Sequence, residues 1–287
     1  MVNLAFDPTM EVMSHCVRRR FRFSSCTACE KACSAGVFNT GEAGIDVDAS
    51  QCVHCGNCLY VCPVDAICGV TPHARYYNGD TLVGPLTQQA ATVNELLLWH
   101  REHGIRFIAM TLEQNPNWML ALARLNVTLK QYGEPVWGIK PPETTGINIA
   151  RRSMFHAPRE DAATGTVTPG LRRVRQQFRE ISETSVSIDP SRCVVCHACS
   201  RACQDSVILM NQGEVTIDSA RCTGCGSCAA VCSHDALTLS ALIGPAKIMR
   251  MMAFARQCHV CQREFWAFDP EASQCSLCQY HLHGMRV

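Results

Sequence analysis

Long apolar runs are missing from this 287-residue sequence, in which no stretch approaches the ~18 consecutive apolar residues of a membrane span. We therefore expect no transmembrane segment. The first residues include Asp7 and Glu11 and contain no apolar core, so no secretory signal peptide is visible. Charged residues are also few, at 18%, while hydrophobic residues reach 47%. This balance predicts folded domains rather than a disordered chain.

Catalytic patterns are missing as well. Residues 69–141 contain no cysteine and show neither a glycine-rich phosphate loop nor a cluster of acidic and basic side chains. Elsewhere the sequence offers no nucleophile paired with a base, no flavin fingerprint and no open metal site. We therefore expect a protein that is not an enzyme and has no active site of its own.

Cysteine, by contrast, is abundant. The sequence has 21 cysteines, and most of them fall in tight clusters. Such clustering is typical of metal centres in a reducing compartment and not of a secreted disulfide scaffold. It predicts a cytoplasmic metal-binding protein.

One cluster, from Cys52 to Pro63, has the spacing C-x2-C-x2-C-x3-C-P. The same spacing returns from Cys222 to Cys232, with Ser233 in place of the proline. This run resembles that of bacterial two-cluster ferredoxins, in which three thiolates hold one [4Fe-4S] cubane and the fourth cysteine ligates the other cluster. We expect the fourth cysteine to begin a helix, where the missing N–H of Pro63 costs nothing.

The two runs belong to an internal repeat. An offset of 170 residues superposes the cysteines of the two halves without a gap. The pairs are Cys26 with Cys196, Cys29 with Cys199, Cys33 with Cys203, Cys52 with Cys222, Cys55 with Cys225, Cys58 with Cys228 and Cys62 with Cys232. The sequence therefore predicts two copies of one two-cluster module.

The resemblance to two-cluster ferredoxins implies four [4Fe-4S] clusters, each with four thiolate ligands. The expected ligand sets are Cys16, Cys26, Cys29 and Cys62; Cys33, Cys52, Cys55 and Cys58; Cys193, Cys196, Cys199 and Cys232; and Cys203, Cys222, Cys225 and Cys228.

The first of these sets depends on an irregularity in the repeat. Cys193 opens the second copy, but the equivalent position in the first copy holds Phe23. Cys16 is the nearest free thiol on that side and would supply the missing ligand across a longer loop. The resulting spacing resembles that of accessory ferredoxins of nitrate reductases and other molybdenum oxidoreductases. Cys68 is the alternative ligand, although we favour a packing role for it.

The C-terminal region carries a different motif, Cys258-x2-Cys261-x13-Cys275-x2-Cys278. Two such pairs across a loop place four thiolates in tetrahedral reach, as in a structural zinc ribbon. A rubredoxin-like single iron would use the same ligands, but the glycines that usually follow rubredoxin pairs are absent. We therefore expect one zinc, with one iron as the alternative.

The regions between the cysteine motifs predict further elements. A capping box at Thr92–Glu95, a stop at Gly104, a start at Asn115-Pro116 and a stop at Gly133 predict two helices. Strands are expected at 106–110 and 135–139, which gives a small α/β unit with parallel pairing. A linker is expected at 141–170, a basic amphipathic helix at 171–181 and an apolar helix at 245–254.

These elements together define the expected architecture. The fold class is α+β, with two bacterial-type two-cluster ferredoxin modules flanking a small α/β domain, followed by a zinc-ribbon-like four-cysteine site. The expected domains are module 1 (1–75), the α/β domain (76–141), a linker with a basic helix (142–185), module 2 (186–245) and the metal-binding tail (246–287).

The expected function is electron transfer. A polyferredoxin of this kind relays electrons to or from subunits of a larger oxidoreductase, and the resemblance favours a molybdoenzyme. The alternative is an accessory or maturation factor that docks on a molybdoenzyme. The formal charge of +1 would fall to about −9 with four clusters and one zinc bound, so nothing points to nucleic acid as a partner.

Overall fold

The computed structural model describes residues 10–41, 44–111, 115–142 and 162–280. Residues 143–161 of the predicted linker and the last seven residues lie outside this part of the chain. The chain forms two compact units, one from residues 1–16 and 27–177 and the other from residues 17–26 and 178–287. Both units mix helices with strands.

Among the described residues, the longest helices, at 93–102 and 116–132, lie in the middle of the chain, whereas the longest strands, at 181–188 and 237–245, lie in the second unit. The helices are α1 (Val17–Arg20), α2 (Ala28–Ala32), α3 (Asn57–Val61), α4 (Val93–Glu102), α5 (Pro116–Tyr132), α6 (Leu171–Gln177), α7 (Ala198–Ala202), α8 (Ser227–Ala230) and α9 (Ser276–Tyr280). The strands are β1 (Glu11–Val12), β2 (Phe38–Gly41), β3 (Gly44–Val47), β4 (Ile67–Cys68), β5 (Arg75–Asn78), β6 (Thr81–Gly84), β7 (Phe107–Ala109), β8 (Gly138–Lys140), β9 (Ala163–Gly165), β10 (Ile181–Ile188), β11 (Ile208–Asn211), β12 (Glu214–Asp218), β13 (Leu237–Pro245), β14 (Ile248–Met252), β15 (Phe254–Gln257) and β16 (Glu264–Ala267).

The first unit contains the α/β domain. Its sheet has the order β8-β7-β6-β5-β9, and the pairs β6–β7 and β7–β8 are parallel. The two predicted helices are confirmed. The hydroxyl of Thr92 accepts from the N–H of Glu95 at the start of α4, and Gly133 ends α5 in the left-handed region at φ 73°. Trp99, Trp118 and Trp137 are buried in the core of this domain.

Two strands of this sheet differ from expectation. Strand β8 begins at Gly138, three residues later than predicted. The prediction of an unstructured linker at 141–170 is wrong at Ala163–Gly165, which pair with β5 as strand β9. This strand has only three residues and gains its stability from a partner distant in sequence, so no local pattern marks it. The basic helix α6 is confirmed, but it ends at Gln177 because Ile181 begins a strand.

In the second unit, the repeat module contains the antiparallel pair β10–β13 and the sheet β11-β12-β14. The helix predicted at 245–254 is wrong, because Ile248–Met252 is strand β14 and pairs with β12 along its length. Met249 and Met251 stand opposite the buried Ile217 and Val215. A short apolar run is compatible with the hydrophobic period of a helix or of a strand. Here the edge of β12 offers backbone hydrogen-bond partners, and these favour a strand.

Within the described residues, no helix combines the length and the apolar character that a membrane span needs.

Candidate cluster and metal sites

Each C-x2-C-x2-C run is built by the same local structure. Cys52 follows a single 3-10 turn in which the carboxylate of Asp48 accepts from the N–H of Ser50 at 3.1 Å. Cys222 follows the equivalent turn, where Asp218 accepts from the N–H of Ala220 at 3.1 Å. These caps fix the direction in which the chain enters the cysteine loop.

A glycine then turns each run into its helix. Gly56 precedes α3 and Gly226 precedes α8, and both have φ 75°. Because side chains disfavour this left-handed conformation, glycine suits the turn that brings the third cysteine of the run back toward the first two. The structural repeat thus includes the backbone and not only the cysteine spacing.

Cys33, Cys52, Cys55 and Cys58 line one cavity in the first unit, with about 330 Å³ of open space that is partly continuous with solvent. Burial, together with the nearby thiolates of Cys55, Cys52 and Cys33, raises the pKa of Cys58 to about 12. A bound metal must therefore displace protons here and supplies the positive charge that clustered thiolates require. All four cysteines belong to one predicted ligand set.

A similar cavity in the second unit has about 350 Å³ of open space and is lined by Cys193, Cys196, Cys199 and Cys232. Burial, together with the thiolates of Cys193 and Cys196, raises the pKa of Cys199 to about 11. Cys193 has its pKa raised chiefly by burial, with Cys196 and Cys232 adding to the shift. Cys232 thus lies with three cysteines that are at least 33 positions earlier in the sequence. This placement is expected if the fourth cysteine of a run binds the other cluster of its module.

The other ligand set of the second unit also converges. Burial raises the pKa of Cys228 to about 12, and the thiolates of Cys225, Cys222 and Cys203 contribute. The pKa of Cys222 rises to about 11 by burial, with Cys225 and Cys203 nearby. The sulfur of Cys203 therefore lies near the cysteines of the run that follows it in the sequence.

In the remaining predicted set, Cys16 and Cys62 lie close together. Burial raises the pKa of Cys62, and the thiolate of Cys16 adds to the shift, so these two cysteines are neighbours. Cys26 belongs to residues 17–26, which are part of the second unit, while Cys29 lies on α2 in the first unit. The assignment of Cys26 and Cys29 to this cluster stays a prediction.

Cys68, the alternative ligand, lies on the short strand pair β1–β4. Its sulfur is 3.7 Å from the carbonyl oxygen of Glu11 and 3.4 Å from the sulfur of Met13. These contacts suit a half-buried packing residue.

The fourth cysteine of each run follows a helix instead of beginning one. Cys62 is the C-terminal cap of α3, and Pro63 follows outside the helix. The prediction of a helix after Cys62 is therefore wrong, and Pro63 instead prevents α3 from continuing. Beyond the cap, the N–H of Ala66 donates to the sulfur of Cys62 at 3.2 Å.

Backbone donors of this kind recur at the sulfurs, and sequence reasoning missed them. The N–H of Val207 donates to Cys203 at 3.3 Å, and the N–H of Ala236 donates to Cys232 at 3.3 Å. Donors aimed at sulfur stabilise thiolate charge. In the sequence, the match of Asp65-Ala66 with Asp235-Ala236 in the repeat is the signal that could have predicted the donors at Cys62 and Cys232.

The C-terminal cysteines form a different kind of site. The sulfurs of Cys258, Cys261, Cys275 and Cys278 all lie within 4.8 Å of one another. Cys258 and Cys261 lie in the turn between β15 and β16. Cys275 directly precedes α9, and Cys278 lies on that helix. The N–H of Cys275 donates to the sulfur of Cys258, and this bond, together with backbone hydrogen bonds from Cys261 and Val260, lowers the pKa of that thiol to about 6. Such mutual distances suit a single tetrahedral ion.

Comparison with known families agrees with the geometry of both modules. Residues 24–66 and residues 185–233 each match a family described as a 4Fe-4S dicluster domain. The chain therefore contains two ferredoxin-like domains of the iron–sulfur class, which support a role in electron transfer. The search of curated proteins found no match.

Proposed function

We propose that this protein is a polyferredoxin that holds four [4Fe-4S] clusters and relays electrons to or from a larger oxidoreductase. The observation that carries the proposal is that two cavities, one in each unit, are each lined by all four cysteines of an expected ligand set. When bound, such clusters exchange single electrons without making or breaking bonds. Two clusters bound within one module would lie close enough for rapid transfer.

The protein's own residues have two roles in this proposal. The cysteine sulfurs hold the clusters, and the backbone donors at Cys62, Cys203 and Cys232 stabilise their negative charge. The second role is to hold the clusters rigidly, because electron transfer is faster when the cluster surroundings reorganise little.

The α/β domain supports that positioning in the first unit. The side-chain amide of Asn94 donates to the carbonyl of Tyr60 at 2.8 Å, and that of Asn57 donates to the carbonyl of Ala90 at 3.2 Å. Arg172 on α6 donates to the carbonyl of Val64 at 2.9 Å. These bonds hold the segment that carries Cys58 and Cys62 from both ends.

The partner in this proposal is a molybdenum-dependent oxidoreductase in the cytoplasm. The support is the resemblance of the Cys16-x9-Cys26 spacing to accessory ferredoxins of such enzymes. A tail zinc on Cys258, Cys261, Cys275 and Cys278 completes the proposed set of metals.

Anaerobic purification of the native protein with its partners, followed by rapid mixing, tests the proposed relay. Reduced protein should pass electrons to the co-purified enzyme on every turnover, or the reduced enzyme should pass them back. Cys228→Ser should impair the transfer, whereas Cys68→Ser should leave it intact.

A different result would favour the accessory role. If no electrons pass in either direction, while the client enzyme fails to mature without this protein, the relay is wrong. A mature client enzyme that stays active after this protein is removed would also favour the accessory role.

A further inference from the structure

The four-cysteine tail is built into the second cluster-bearing module. Strand β14 pairs with β12 over five consecutive positions, from Glu214 opposite Met252 to Asp218 opposite Ile248. The chain then passes the β11–β12 turn, where the N–H of Ala253 donates to the carbonyl of Gly213 at 2.6 Å. The tail thus begins as the third strand of the module's own sheet.

Trp266 of the tail packs directly on that turn. A Cβ atom at Gly213 would lie 2.6 Å from Cζ3 of Trp266 and 2.7 Å from the carbonyl oxygen of Ala253. Gly213 also has φ 86°, a conformation that side chains rarely adopt. Glycine is therefore required here both by the backbone and by the indole ring that covers it.

Phe268, two residues further along, packs against the module's core. That core contains the cluster cysteines Cys199, Cys222 and Cys228 among its buried residues, and Cys203 packs against it. The tail therefore reaches both the β11–β12 turn and the apolar shell around the predicted cluster ligands.

The hairpin that presents these aromatic residues is closed by the four-cysteine site. Strands β15 and β16 pair over only four positions, and the N–H of Cys258 donates to the carbonyl of Arg263 at 2.9 Å. An isolated two-stranded hairpin is marginally stable in water. Four thiolates that bind one ion add binding free energy to such a fold.

We propose that the metal of the tail acts as a clamp on module 2. By closing the hairpin, it holds Trp266 on Gly213 and Phe268 on the core, and this packing retains the module's clusters. The inference rests on the proposed function to the extent that module 2 must hold clusters. Trp266, Phe268 and Gly213 are positioning residues that act through packing.

The test uses the full-length holoprotein and variants at the metal site and at the aromatic contact. Cys278→Ser should lose the tail metal, and Trp266→Ala should keep it. Both should release iron to a chelator about tenfold faster than the wild type, and amide exchange should rise in residues 208–218 but not in residues 57–61. Trp266→Phe should restore most of the retention.

A pair of glycine variants provides a matched control. Gly213→Ala should release iron faster, because the added methyl group displaces Trp266. Gly79→Ala should release iron like the wild type, since its backbone also has positive φ, at 54°, but nothing lies within 4 Å of a Cβ there.

Three results would overturn the inference. They are a wild-type tail that holds no metal, a Cys278→Ser protein that lacks tail metal and releases iron at the wild-type rate, and a Gly213→Ala protein that releases iron no faster than Gly79→Ala. If Trp266→Ala does not fold, Trp266→Phe and the glycine pair still decide. A wild-type module 2 without iron would refute the proposed function itself. If the wild type holds its full iron but the tail variants release iron at the wild-type rate, only the clamp is refuted.

Discussion

The backbone N–H of Ala236 donates to the sulfur of Cys232 at 3.3 Å, and 170 residues earlier Ala66 makes the same bond to Cys62 at 3.2 Å. The residue before each donor has positive φ, 46° at Asp235 and 52° at Asp65. This left-handed turn brings the chain back so that the donor faces the sulfur.

That turn gives a first prediction. Asp235→Val should destabilise the module by about 1–2 kcal/mol, because a β-branched side chain is strained at positive φ. Asp235→Gly is the matched control, since it removes the same exposed carboxylate and its contact with Arg192 without strain. The measurement is the temperature at which cluster absorbance is lost. Equal midpoints for the two variants would contradict the role of the turn.

The second prediction concerns cluster number. Anaerobically purified protein should contain about sixteen irons and sixteen sulfides per chain, as four [4Fe-4S] clusters. Iron and acid-labile sulfide are measured on the same sample. About eight irons would mean that one module is empty and that the repeat misleads.

The third prediction concerns the first cluster. Cys16→Ser should convert one of the four clusters to a three-iron form or lose it, because Cys16 lies beside Cys62 and is the proposed replacement for the ligand missing at Phe23. Cys68→Ser should leave all four intact. Iron analysis and low-temperature paramagnetic resonance on both variants distinguish them, and the reverse pattern would assign the ligand to Cys68.

The elements that could be predicted from the sequence are those with local chemical signals. The hydroxyl of Thr92 caps α4, and Gly133 ends α5, because these side chains act on neighbouring backbone. The cysteine runs are similarly local, since each run closes around its own turn. The 4Fe-4S dicluster domains follow from those runs.

The elements that escaped prediction depend on partners far away in the chain. The apolar run Ile248–Met252 has no intrinsic preference that overrides the edge of β12, and it becomes a strand there. Ala163–Gly165 pair with β5, roughly 90 positions earlier, and carry no strand pattern of their own. The packing of Trp266 on Gly213 is likewise tertiary.

A fourth prediction concerns the buried ion pair of the α/β domain. Arg75 and Glu95 are 3% and 1% exposed and pair through Nε and Oε1, while the guanidinium lies 4.9 Å from the ring of Trp118. Glu95→Ala should cost about 3–5 kcal/mol in unfolding free energy, because it leaves a buried charge without its partner. The double variant Arg75→Met/Glu95→Leu should lose less unfolding free energy than the summed losses of Arg75→Met and Glu95→Leu. Additive losses in denaturant unfolding would contradict this coupling.

The last prediction is a pH dependence centred on His100. This side chain is fully buried, its Nδ1 accepts from the indole N–H of Trp137 at 3.0 Å, and its Nε2 lies 3.1 Å from a carboxylate oxygen of Glu134. Because Nδ1 accepts, the neutral ring carries its proton on Nε2 and donates it to Glu134. Burial lowers the pKa of His100 below its ordinary 6.5 and outweighs the hydrogen bond to Glu134, which raises it, while the nearby Arg106 adds to the lowering.

The sign of the effect follows from that shift. The folded state keeps His100 neutral, whereas the unfolded chain binds a proton as the pH falls below about 6.5, so the group's contribution to stability is present above that pH and lost below it. Hydrogen exchange of the α4 amides at about pH 7.5 and about pH 5.5 measures the local unfolding free energy at each pH. In the wild type this free energy should fall between the two, and in His100→Gln it should be lower at the higher pH but fall less. An unchanged pH dependence in the variant would mean that other groups govern the acid sensitivity of the domain.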